Sequence, residues 1–171
     1  MQKKKDQRSA IGERFHADHT YDLAPALGSM LVARQLPLKK NLGDTVFVDM
    51  RKAYATLPEE IKKQLVGLRA VHSSRHYFGK DQTDRGTGES LFANQQEATQ
   101  DHVHPVVIKS PLSGKPSLFI NPGFTLHFEG QTPAESKQLL EYLYHHAVQI
   151  QHMHRFVWEE NSAVLWDNRA V

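Results

Sequence analysis

The sequence predicts a β-rich α+β domain, a sandwich of short strands with helices packed outside. Three observations predict it. Seven or eight short runs rich in apolar and β-branched residues are bounded by Gly, Pro, Asn or Asp. Only two segments carry a clear helical period. Most connections between strands are short enough for antiparallel neighbours, which points to double-sheet architectures, jelly rolls among them. The 171 residues suit one domain and are enough to bury a real core.

Residues 1–12 are polar and read as a loose tail, so the folded unit is expected over 13–171. A first strand is expected at 14–20. Asp22 to Gly28 reads as a loop, and Ser29 to Arg34 as a short buried strand. A second loop begins at Leu36-Pro37 and ends at Gly43. Asp44 to Val48 is rich in β-branched residues and reads as a strand. Thr56 and Glu59 have capping-box spacing with Pro58 in the first turn, and Ile61, Leu65 and Leu68 then share a helical stripe. Lys62 and Lys63 are expected to face out. Val71 to Phe78 reads as extended. From 79 to 101 the chain is polar and Gly-containing, a length that marks a lid or insertion. His104–Lys109 and Ser117–Ile120 read as a hairpin around Pro111 to Lys115. Thr132, Pro133 and Glu135 open a second helix, with Leu139, Leu140, Leu143, Tyr144 and Ala147 on its apolar face. Arg155–Trp158 and Ala163–Trp166 are the last strands.

Composition narrows the function. A net charge of +2 is too small to argue for nucleic acid, and Lys3-Lys4-Lys5 reads as a solvated terminus. No apolar run approaches a membrane span, and no apolar stretch follows the basic N-terminus as in a secretory signal. The absence of cysteine excludes disulfides and thiolate metal sites and fits a cytoplasmic location.

The chemistry-bearing stretch is Phe15-His16-Ala17-Asp18-His19-Thr20-Tyr21. On a strand, positions two apart share a face, so His16 and Asp18 would aim a nitrogen and an oxygen at one point. With a second His from elsewhere, this is the 2-His-1-carboxylate facial triad of non-haem iron oxygenases. Taken alone, a His and an Asp two apart among 11 histidines are more often plain surface residues.

The remaining motifs, in order, are Leu36-Pro37 to Gly43-Asp44-Thr45, Ala53 to Leu57, His104-Pro105-Val106-Val107, Leu118 to Thr125, Arg155-Phe156-Val157-Trp158 and Trp166-Asp167-Asn168-Arg169. Together with the segment around His16 they resemble the taurine dioxygenase family of Fe(II)- and 2-oxoglutarate-dependent dioxygenases, from Phe15 to the last residue. The resemblance implies a double-stranded β-helix (jelly-roll) core. It implies His16 and Asp18 as metal ligands, and Thr45 as the hydroxyl that binds a carboxylate of 2-oxoglutarate. Tyr77, Phe78 and Phe124 fall where the family places substrate contacts. The implied cofactors are Fe(II) and 2-oxoglutarate. The implied partners are molecular oxygen and a small organic molecule, often anionic in the family, hydroxylated with release of succinate and CO2.

Two departures from the family pattern stand out. Its second His ligand falls two residues beyond the position of Val171, and an Arg that pairs with 2-oxoglutarate falls further on. Its long region before the His-x-Asp motif has only 15 counterparts here. The expectation is a partial dioxygenase domain, inactive by itself, whose unpaired sheet edges favour association. The alternative is a truncated, non-catalytic paralogue or binding module of the same fold.

Overall fold

The computed structural model describes residues 14–37, 42–78 and 99–171. The expected tail and nearly all of the expected lid lie outside the described residues. The described chain is a mixed α/β arrangement of four small antiparallel sheets. The strands are β1 (Gly28–Val32), β2 (Thr45–Val48), β3 (Arg69–Ser73), β4 (Asp101–Pro105), β5 (Val107–Lys109), β6 (Pro116–Leu118), β7 (Thr125–Phe128), β8 (Met153–Phe156) and β9 (Ala163–Asp167). The helices are α1 (Met50–Ala55), α2 (Glu59–Leu65), α3 (Arg75–Phe78) and α4 (Pro133–Ala147). In sheet order, β1 pairs with β9, β2 with β8, β3 lies between β4 and β7, and β5 pairs with β6.

The core is one cluster in which α1 lies against β6 and α4 against β7. Ala53, Leu65, Ala70, Val106, Leu118, Phe128 and Leu143 are almost fully buried in it. The expected hairpin is present as β5–β6. Helix α4 carries the expected capping box, in which the Thr132 hydroxyl accepts from Glu135 N and the Glu135 carboxylate accepts from Thr132 N.

Four expectations are corrected. Residues 14–20 are not a strand: the segment is irregular and turns at Asp18–Tyr21, where His19 adopts φ 59° and its carbonyl accepts from Asp22 N. A short polar cluster of His and Asp tolerates the left-handed region that such a turn needs. Thr56 does not begin a helix. Asp49 begins one earlier, its carboxylate accepting from Arg51 N and Lys52 N, and Thr56 closes α1 before Pro58 opens α2. The extended run ends at Ser73, whose hydroxyl accepts from Arg75 N and starts the single turn α3. Strand β1 is not buried: Met30 is 66% exposed and Leu165 opposite it 76%, because this two-stranded ribbon has β9 as its sole neighbour among the described strands.

Candidate metal and co-substrate site

His16 and Asp18 converge despite the missing strand. His16 Nε2 lies 3.5 Å from Asp18 Oδ1, on the wall of a cavity of about 590 Å³. They meet across Ala17 in an irregular segment that carries no strand pairing. His16 Nδ1–H donates to the Arg14 carbonyl at 2.7 Å, which leaves Nε2 as the lone-pair nitrogen of the neutral ring. Ser29 Oγ–H donates to Asp18 Oδ2 at 2.6 Å, leaving Oδ1 toward His16. Two acceptor atoms 3.5 Å apart repel unless a proton or a cation lies between them. The protonation behaviour follows. The Asp18 carboxylate holds the His16 imidazolium above the usual histidine range, against burial and with help from the Arg14 carbonyl. His16 in turn holds the Asp18 carboxyl low, again against burial and with Ser29 assisting.

The packing behind His16 is tight. A Cβ on Gly123 would stand 2.8 Å from the His16 Cβ and 3.2 Å from Asn121 Oδ1. The Asn121-Pro122-Gly123 turn is held by Asn121 Oδ1, which accepts from Phe124 N at 2.8 Å, and by Asn121 Nδ2, which donates to the buried Thr20 hydroxyl at 3.2 Å. Glycine is needed here for space.

Thr45 lines the same cavity at the start of β2. Trp158 Nε1–H donates to the Thr45 hydroxyl at 3.0 Å. The indole offers a donor and no acceptor, so the Thr45 oxygen accepts there and its own proton remains for another acceptor. Next to it, Arg155 pairs with Asp44 at 2.7 Å, fastening β8 to the start of β2.

Phe78 and Phe124 lie together, with ring centroids 5.8 Å apart. Tyr21 joins them, 4.8 Å from Phe124 and 6.0 Å from Phe78, and His16 is 6.0 Å from Phe124. This aromatic cluster adjoins His16 but is not part of the cavity lining, and Phe124 is 2% exposed. Tyr77 is in α3, and its side chain lies outside the described residues. Sequence reasoning gave no site role to Tyr21, Ser29, Asn168 or Gly123. Ser29 carries no motif signal; the others stand in motifs whose roles only packing reveals.

The donor set suits a first-row divalent ion: one imidazole nitrogen with its other N–H anchored, and one carboxylate oxygen with its partner occupied. Among the described residues no third His, Cys, Asp or Glu joins them in a group able to hold a metal. A cavity that combines such a nitrogen–oxygen pair with an anion-ready hydroxyl has the composition of a metal-dependent site for an anionic ligand.

The chain belongs to the taurine catabolism dioxygenase TauD, TfdA family, which it matches over residues 2–171. That family uses Fe(II) and 2-oxoglutarate. The chain is 36% identical over 171 residues to the alpha-ketoglutarate-dependent 2,4-dichlorophenoxyacetate dioxygenase of Burkholderia sp. (strain RASC), covering 97% of this chain and 54% of that protein. A taurine dioxygenase from Burkholderia xenovorans superposes with a TM-score of 0.74 at 30% identity, over 96% of this chain and 51% of that one. AAD-2 in complex with Mn(II) and N-oxalylglycine superposes with a TM-score of 0.74 at 27% identity, over 91% and 54%. The chain spans about half the length of the curated relatives it matches.

Proposed function

We propose that the protein is an Fe(II)- and 2-oxoglutarate-dependent dioxygenase that hydroxylates a small organic acid, and that residues 13–171 form part of its jelly-roll domain. The observation that carries the reading is the convergence of His16 Nε2 and Asp18 Oδ1 on the cavity that Thr45 also lines. His16 and Asp18 would hold the metal, and Thr45 would donate to a 2-oxoglutarate carboxylate. Bound together, Fe(II) and 2-oxoglutarate would supply the electrons that reduce molecular oxygen for C–H hydroxylation, one oxygen atom passing to succinate as CO2 leaves and the other to the substrate. The protein's part is to present one nitrogen and one oxygen from the same side, to keep the His16 proton on Nδ1, and to offer a hydroxyl donor that does not compete for the metal.

The third metal ligand is proposed to come from outside these 171 residues. Val171 itself lines the cavity, so a histidine shortly beyond it would be close enough to reach the site. An anionic substrate is favoured because the relatives' names specify a dichlorophenoxyacetate and taurine, each carrying an acidic group. Phe78 and Phe124, with Tyr77 next to Phe78 in sequence, are proposed to shape the substrate side next to His16.

The test uses Mn(II) as an oxygen-inert probe in the full-length protein, with N-oxalylglycine standing in for 2-oxoglutarate. Binding is expected in the wild type and its loss in His16→Ala and in Asp18→Ala. Succinate release from 2-oxoglutarate is expected from the full-length protein and not from the 171 residues alone. An immediate stop codon after Val171 in the coding DNA, together with no succinate from the natural product, would support a non-catalytic binding module instead.

A further inference from the structure

We propose that Trp166, Asn168 and Ser29 form a one-way hydrogen-bond relay that positions the Asp18 carboxylate for metal binding. The proposal rests on the metal reading above and assigns work to residues that reading does not use. Trp166 Nε1–H donates to Asn168 Oδ1 at 2.9 Å. Because the indole can only donate, the amide oxygen must face it, and the amide nitrogen must face the other way. That nitrogen donates to Ser29 Oγ at 3.0 Å and approaches the Ala26 carbonyl at 3.4 Å. Ser29 Oγ, having accepted, turns its own proton to Asp18 Oδ2 at 2.6 Å. Each bond therefore fixes the direction of the next, and the series ends on one oxygen of the carboxylate.

The effect is to distinguish the two oxygens of Asp18. Oδ2 is occupied by Ser29, and Oδ1 is turned to His16 Nε2 at 3.5 Å. A carboxylate held this way is prepared to bind a cation through a single oxygen, with little orientation left to lose on binding. Asn168 is 1% exposed, so its amide needs these partners. The strand pair builds the relay: Ser29 stands opposite Trp166 in the β1–β9 register, and Asn168 N donates to the Leu27 carbonyl just before β1. Trp166 and Asn168 also line the cavity with Asp18. Asp167 and Arg169 pair with each other and take no part.

The same bonds also hold β1 to β9, so the experiment must separate positioning from scaffolding. Free Mn(II) is titrated by electron paramagnetic resonance against the full-length protein with N-oxalylglycine, and the melting temperature of each variant is recorded beside it. Ser29→Ala and Asn168→Asp are each expected to weaken Mn(II) binding by roughly 10- to 100-fold. The double variant should be no weaker than Ser29→Ala, because both break one series. Ser29→Thr keeps the hydroxyl and should restore binding. If Ser29→Ala and Asn168→Asp bind Mn(II) as the wild type does while Asp18→Ala does not bind, the relay is scaffolding and the proposal is overturned. If Asp18→Ala binds normally, or the wild type leaves Mn(II) free, the metal reading fails first and takes the relay with it.

Discussion

At the scale of single residues, the site is organised by groups with one hydrogen-bonding option. Trp158 can only donate, so the Thr45 hydroxyl that accepts from it keeps a proton for the cavity. Thr45→Ala should therefore weaken N-oxalylglycine binding by the value of a hydrogen bond to a charged group, about 1.5–3 kcal/mol. Thr45→Ser should recover most of it, and Trp158→Phe should lose less than Thr45→Ala; isothermal titration of the Mn(II)-loaded protein measures all three. If Trp158→Phe loses nothing, the indole is only packing. Gly123 works by the atom it lacks. A methyl there meets the His16 Cβ at 2.8 Å, so Gly123→Ala should lower both Mn(II) affinity and melting temperature, while Pro122→Ala beside it should spare the metal.

Among the elements, caps and register decide what the sequence shows. The capping box of α4 is local, and all its atoms come from Thr132 and Glu135, so it was readable in the chain. Thr132→Ala should cost about 1 kcal/mol in urea unfolding. The Thr56–Glu59 spacing misled because Asp49 starts a helix seven residues earlier. Thr56 then serves tertiary structure instead: its hydroxyl meets His146 Nε2 at 3.1 Å and His152 Nε2 at 2.9 Å, tying the end of α1 to the end of α4. No local pattern reports a partner some 90 positions away. Gly28 is a similar case. A Cβ there would stand 2.5 Å from the Trp166 carbonyl oxygen, so Gly28→Ala should part β1 from β9 and weaken metal binding through Ser29.

For the molecule as a whole, the described strands nest: β1 pairs with β9 and β2 with β8, so both ends of the described chain meet at the cavity. Behind it lies a buried polar layer in which His72 Nδ1 meets the Thr20 hydroxyl at 3.1 Å and the Thr125 hydroxyl at 3.4 Å. Burial, with the neighbouring His104 adding, pushes the His72 imidazolium down to about 3. The folded state thus keeps His72 neutral where the unfolded chain, with a pKa near 6.5, takes up a proton. The resulting stability is complete above about pH 6.5 and is lost as pH falls toward 3. His104, also held low by burial, acts in the same direction; His16, held high, acts in the opposite one. Between pH 6.5 and 5, the His72 contribution is on the order of 2 kcal/mol. Urea midpoints at those two pH values should fall more for the wild type than for His72→Gln, and equal falls would refute the assignment.

The amino-acid sequence by itself determined the family motifs, the capping box of α4, the β5–β6 hairpin and the choice of an imidazole and a carboxylate for the site. All of these are set by residue types at short spacing. Only the tertiary structure decided that an irregular segment, and not a strand, presents His16 and Asp18 together, that β1 lies exposed, and that Trp158 orients Thr45. Those outcomes depend on partners distant in the chain, and hydrogen-bond direction and steric contact exist only once such partners meet.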